Sequence, residues 1–247
     1  MIRLKKIILV LLLLGPVAHS KGQVVMSLIF GDKLNTDYIY FGLHVDYRFS
    51  NLSNVHPSST LNGVDLGLFL TFKLKERWRL NVEMMAKYDR GATEMKPYKL
   101  GNPVLDSGYA NGKFAREIGY LALPVTMQYK LSKAFYVEAG PTVGLRINAK
   151  DKFTVTLPEG ESTLDRDVKS NTSSMDFGLM GGAGVLIGKA KIIAVGMRYT
   201  QGLSDVIKDM QGSQYNQSFY VYTNLPIGRA KAARKKAEKE KKLHSPG

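Results

Sequence analysis

The sequence predicts an all-β fold: an eight-stranded antiparallel up-and-down barrel that crosses a membrane with its strands. Two observations carry this. The first is a strict two-residue alternation, seen from Ile39, Phe41, Leu43, Val45, Tyr47 and Phe49 against Tyr40, Gly42, His44, Asp46 and Arg48. Successive strand side chains point to opposite faces, so one face is apolar and the other polar or small. The second is that the connections between such segments alternate between short and long. A closed barrel with an apolar outside satisfies its backbone within a bilayer.

The segments follow in order. Tyr38–Phe49 is the first. The second, Gly63–Leu74, sets Val64, Leu66, Leu68, Leu70, Phe72 and Leu74 against Asp65, Gly67, Thr71 and Lys73. The third, Trp78–Tyr88, sets Trp78, Leu80, Val82, Met84, Ala86 and Tyr88 against Arg79, Asn81, Glu83 and Lys87. Ile118–Leu131 and Phe135–Ala149 are the fourth and fifth, and Glu138 and Arg146 lie on the polar face of the latter. Met175–Ile187 is the sixth, with mostly glycines on its inner face. Ile192–Leu203 and Phe219–Ile227 complete the set. Most approach or exceed the 9–11 residues of a tilted membrane strand.

Lys75-Glu76-Arg77, Ser132-Lys133-Ala134 and 188–191 are short turns, whereas 50–62, 89–117, 150–174 and 203–218 are long loops. Short periplasmic turns and long external loops are the asymmetry of outer-membrane barrels. An even strand number then places both termini in the periplasm. With that direction, Tyr47, Phe49, Tyr88, Phe177, Tyr199 and Phe219 form an external aromatic girdle. Phe41, Phe72, Trp78, Tyr129 and Phe135 form a periplasmic one, at the headgroup levels that amphipathic rings favour. Pro124 and Pro141 fall within strands, where each removes a ladder hydrogen bond, so bulges are expected there.

Arg3, Lys5 and Lys6, the apolar run Ile7–Leu14 and a break at Gly15-Pro16 read as an export leader over residues 1–22. Residues 23–37 form an apolar pre-barrel segment, 38–228 the barrel and 229–247 a basic periplasmic tail. No apolar run reaches the roughly 18 residues of a membrane helix. Cysteine is absent, which removes disulfides and thiol chemistry. The +14 charge sits largely in the leader and in the tail, where eight Lys and Arg face only Glu238 and Glu240. No basic stripe with interleaved aromatics runs along the strands, so nucleic acid is not an expected partner.

Tyr120-Leu121-Ala122-Leu123-Pro124-Val125, then Tyr129-Lys130-Leu131, then Phe135 through Gly144 with Ala139-Gly140-Pro141, resembles the central signature of the PorT-like outer-membrane barrels of Bacteroidetes. Phe41-Gly42-Leu43 and Phe49-Ser50-Asn51 resemble that family's first strand. The resemblance spans about 38–228. It implies an outer-membrane location, with lipids and envelope or secretion-system proteins as partners, and suggests an accessory role in type IX protein secretion.

Asp46, Arg48, Arg79, Glu83, Lys87, Glu138, Arg146 and Arg198 point inward as a lumen polar network. They line either a pore or a packed interior; eight strands leave a lumen that side chains can fill, which favours packing. Inward glycines on strands five to seven, set against bulky groups on strands one, three and four, fit the same picture, or make room for residues 24–36. No catalytic, cofactor or metal site is expected. His44 lies among Asp46 and tyrosines as a hydrogen-bonding lumen residue, and no Gly-x-Ser-x-Gly, His-Glu-x-x-His or phosphate loop occurs. Glu159, Glu161, Asp165 and Asp167 match no defined Ca²⁺ loop. The expected role is therefore non-enzymatic, structural or interactive; a small-solute pore and a surface-loop adhesin or ligand binder stand as alternatives.

Overall fold

The computed structural model describes residues 38–158, 160–188 and 192–227. The expected leader 1–22, the pre-barrel segment 23–37, the tail 229–247 and Glu159 lie outside these residues.

Among the described residues nine strands form: β1 Ile39–Leu52, β2 Ser59–Lys73, β3 Trp78–Met95, β4 Lys113–Lys130, β5 Phe135–Leu157, β6 Gly160–Asp167, β7 Met175–Ile187, β8 Ile193–Gly202 and β9 Asn216–Pro226. A short helix, α1 (Pro103–Tyr109), and a 3₁₀ turn (Lys169–Asn171) lie between them. Each strand but β6 pairs antiparallel with its neighbours in chain order, β5 with β7 across the β6 excursion, and β9 with β1. Eight strands thus close into a barrel. β6 lies outside the circuit and pairs only with the upper part of β5, from Lys150 opposite Asp167 to Leu157 opposite Gly160.

The turns obey local chemistry. The Leu74 amide donates to the Trp78 carbonyl at 3.0 Å, and the Leu131 amide to the Phe135 carbonyl at 2.9 Å. Ser132 Oγ accepts from the amides of Ala134 and Phe135, which fixes that turn from within. The Lys73 amide reaches the Tyr38 carbonyl and the Ile227 amide the Phe41 carbonyl. Both ends of the described chain therefore lie at the short-turn end of the barrel.

β3, β4 and β5 run further than the alternation suggests; in β3 and β5 the pattern continues with its phase broken, whereas β4 keeps one phase throughout. β3 shifts register against β4 between Met85 and Tyr88, and against β2 between Leu66 and Gly67. Below the bulge Arg79, Asn81, Glu83 and Met85 are buried; above it Tyr88, Arg90 and Ala92 are. A second shift pairs Gly119 with Asn148 but Tyr120 with Arg146, so Ala149, Asp151 and Phe153 turn inward beyond Ile147. The expected bulges at Pro124 and Pro141 do not form. Register stays unbroken from Leu123–Val143 to Met127–Ala139, and across Pro141–Leu179. The adjustment is made at Gly140, where a Cβ would collide with the Val125 carbonyl; the missing side chain admits a close backbone approach in place of an inserted residue.

Candidate functional site

The lumen is stratified. Its middle is organised on Arg198 of β8, which is fully buried. Its guanidinium donates to Glu83 Oε2 at 2.7 Å and Oε1 at 2.8 Å, and on its other side to both oxygens of Glu138. Bidentate geometry matches the planar donor fork of arginine to each carboxylate. Further donors reach both carboxylates. Asn81 donates to Glu83 at 2.7 Å, and Thr71 donates to Asn81 at 2.6 Å. Gln128, Thr126 and Tyr222 donate to Glu138. The Arg198 guanidinium lies 4.0 Å from the centre of the Tyr222 ring. His44 stacks on the same ring and faces oxygen acceptors with both nitrogens: Asn224 Oδ1 at 2.6 Å and Asp46 Oδ2 at 3.0 Å.

One layer up, Asp65 receives Arg48 on one oxygen and Arg90 on the other, the latter at 2.7 Å. Arg90 lies 3.3 Å from the centre of the Tyr88 ring. Inward glycines give the tyrosines their room. A Cβ on Gly184 would meet the Tyr136 ring, one on Gly196 the Tyr222 ring, and one on Gly144 the Tyr120 ring. Beside Arg90 the interior narrows to a void of about 10 Å³ among Tyr88, Thr142, Asp176 and Asn216, room for about one water molecule.

The long-loop end is closed by an apolar core that includes Leu52, Val55, Met95, Phe114, Ile118, Phe153, Val206 and Ile207. Tyr98 makes edge contacts with Phe114 and Phe153 there. Polar ties pin the cap. Arg116 grips Asp151 with two bonds of 2.7 and 2.6 Å and reaches Asp209 at 3.1 Å. Arg146 Nη1 donates to the Thr172 carbonyl and hydroxyl, and to the Lys169 carbonyl. Burial and the Asp151 contact push the Tyr98 phenol up to about 12. Asp209 is held below the usual carboxylate range: partial burial opposes this, and the Asn171 bond and Arg116 outweigh it.

The expected lumen residues therefore fall into five places. Asp46, Glu83, Glu138 and Arg198 meet in the middle layer, and Arg48 lies above it with Asp65. Arg79 is buried near the short-turn end, 5.8 Å from the centre of the Tyr40 ring. Arg146 is half-buried and ties loop carbonyls at the opposite end. Lys87 is exposed, on the outer side of the β3 bulge.

Among the aromatics, Tyr47, Phe49, Phe177, Tyr199 and Phe219 are exposed on the outer face, with Phe49, Phe219 and Tyr199 in one row across β1, β9 and β8. Trp78 and Phe135 are exposed at the other end; Tyr129, half-buried, lies 4.8 Å from Trp78 between ring centres. Phe72 is half-buried. Tyr88 departs from its expected place: the bulge at Ala86–Lys87 turns it into the barrel, where it is 5% exposed beneath Arg90. Phe41 is likewise buried in spite of its outward register.

Sequence reasoning missed Asp65 as a charge partner, and Arg90, Arg116 and Asp151 altogether. The latter three stand in stretches assigned to loops. Their signal was an alternation that continues past the expected strands, in the opposite phase at Tyr88, Arg90 and Ala92 and at Ala149, Asp151 and Phe153, and in unbroken phase at Phe114, Arg116 and Ile118. His44 has Asn224, Asp46 and Glu83 as partners, none of them a nucleophilic hydroxyl. Among the described residues no three His, Cys, Asp or Glu side chains come together as a metal site would require.

A sequence-family profile described as "Outer membrane protein beta-barrel domain" matches residues 35–208. No curated protein matches the chain. Among solved structures, the chain is similar to Ail, the attachment invasion locus protein of Yersinia pestis, at 12% identity and a TM-score of 0.39, over 76% of this chain and 97% of that one. It is similar to OprG of Pseudomonas aeruginosa at 13% identity and a TM-score of 0.33, over 75% and 91% of the two chains. For the toluene transporter TbuX of Ralstonia pickettii the figures are 13%, 0.27, 77% and 64%.

Proposed function

Because the chain belongs to the outer membrane protein beta-barrel domain family, we propose that it is a non-enzymatic barrel of the bacterial outer membrane with a closed lumen, and that its capped end acts as a contact surface. The observation that carries this is the interior. Arg198 fills the middle of the lumen between Glu83 and Glu138, and the apolar core with Phe153 and Ile118 seals the end above it. A pore needs a continuous wet path, and these layers leave none of useful width. The exposed outer aliphatics, among them Leu121, Leu123, Leu179 and Met197, are suited to hydrocarbon. In this reading the long-loop end faces outward, both termini lie in the periplasm, and contacts with envelope proteins supply the role. An accessory part in type IX secretion rests on the PorT-like resemblance.

Planar-bilayer recording on the purified barrel tests the closed lumen. The expected trace shows no stable unitary conductance; a reproducible ion-selective channel would overturn the proposal. Cross-linking on intact cells tests the contact role, with capture of the same envelope proteins by repeated preparations as the expected outcome.

A further inference from the structure

The short-turn mouth carries a charge arrangement that the closed-lumen role does not use. Lys73 on β2, Arg79 on β3 and Lys130 on β4 stand on adjacent strands, and together with Tyr38, Tyr40, Leu74, Lys75 and Glu76 they line a cavity of about 440 Å³. Lys73 and Arg79 are direct cross-strand partners. Like charges directly opposite each other destabilise a sheet. Here both also lie against one ring, the Lys73 ammonium 4.8 Å and the Arg79 guanidinium 5.8 Å from the centre of Tyr40. Among the described residues, Lys73, Lys75 and Lys130 form no ion pair.

The carboxylates above cannot serve them. Glu83 and Glu138 are both engaged by Arg198. Among the described residues, Glu76 is the one acid on the cavity wall. Positive charge crowded in a cleft concentrates its field and draws counter-ions of the opposite sign. A tetrahedral oxyanion satisfies several ammonium donors at once, and lysine is a point-charge binder of phosphate.

We propose that this mouth is a phosphate-type anion site, held by Lys73 and Lys130 with Lys75 at its rim. It takes a phosphate ester or pyrophosphate group, borne by a soluble molecule or a lipid headgroup. The site is independent of whether the other end makes protein contacts.

Calorimetric titration of the full chain, folded in uncharged maltoside micelles at low salt, with inorganic pyrophosphate tests it. Three proteins are compared: the wild type, the double variant Lys73→Gln/Lys130→Gln, and Lys152→Gln/Lys208→Gln, which loses the same charge at the far end. The expected result is saturable binding that weakens by roughly tenfold or more in the first double variant and holds within about twofold in the second. Absence of saturable binding to the wild type, or equal weakening in both variants, overturns the site; equal weakening is what diffuse attraction to net charge would give. Heat-dependent gel mobility verifies that each variant is folded, and Lys130→Gln alone replaces the first double variant if that one does not fold. Doping the micelles with phosphatidic acid separates the two sources: competition with pyrophosphate identifies a lipid headgroup, and its absence a soluble phosphate.

Discussion

Arg198 is bracketed by Glu83 and Glu138, which are 115 and 60 positions away in sequence. The two carboxylates share a buried interior only because the guanidinium lies between them. Breaking a buried pair by removing one partner costs about 3–5 kcal/mol, since the other charge is left uncompensated. Arg198→Met should therefore lower the urea midpoint of unfolding sharply, as read by gel mobility of unheated samples. Removing Lys113, whose pair with Glu94 is exposed, should leave that midpoint unmoved. Equal effects would show that the middle layer does not hold the barrel together. The ingredients of this layer were visible in the alternation, which put Asp46, Glu83, Glu138 and Arg198 on inward positions. Their grouping was not, because pairing depends on shear and on which strands face each other across the lumen. The contrast of inward glycines with large inward groups was also visible. Its partners were not: Gly184 faces Tyr136 and Gly196 faces Tyr222, and these tyrosines lie on positions that parity marks only as polar.

At the scale of the element, the bulges decide what the loops become. A strand face read from parity holds only while no residue is inserted. One extra residue near Ala86 moves Tyr88 from the expected outer girdle to the interior, and another near Ile147 brings Ala149, Asp151 and Phe153 inward. The long loops expected at 89–117 and 150–174 thus contain strand, and β5 with β6 builds a hairpin above the barrel. Phe153 anchors it, fully buried and stacked on Phe114 at 5.3 Å between ring centres. Deleting a buried aromatic ring of this kind costs about 3–5 kcal/mol. Since the Arg198 layer lies below, the loss should be local. Phe153→Ala should make the 150–174 segment sensitive to protease added to intact cells while the barrel keeps its heat-modifiable mobility. Loss of both together would mean that cap and barrel fold as one unit.

For the molecule as a whole, direction is the property that ties the cap, the mouth and the proposed contacts to compartments. The turns at 74–77 and 131–134 and both described chain ends share one end, whereas the cap with α1, the β5–β6 hairpin and residues 203–215 occupies the other. A closed barrel of eight strands makes this arrangement rigid, so knowing the side of one turn fixes the side of every loop. The sequence has no cysteine, which makes single-cysteine labelling clean. Lys208→Cys, at an exposed position in the capped end, should react with a membrane-impermeant maleimide on intact cells. Lys133→Cys, in the turn between β4 and β5, should react only after the outer membrane is permeabilised. The reverse pattern would place the cap in the periplasm and the lysine-lined mouth outside, and would exchange the compartments from which contact partners and phosphate-bearing ligands are drawn. Labelling of both on intact cells would remove the membrane from around the barrel. The outer rows of leucine, methionine and phenylalanine would then need a protein partner to cover them, because an exposed apolar belt of that extent is not stable in water.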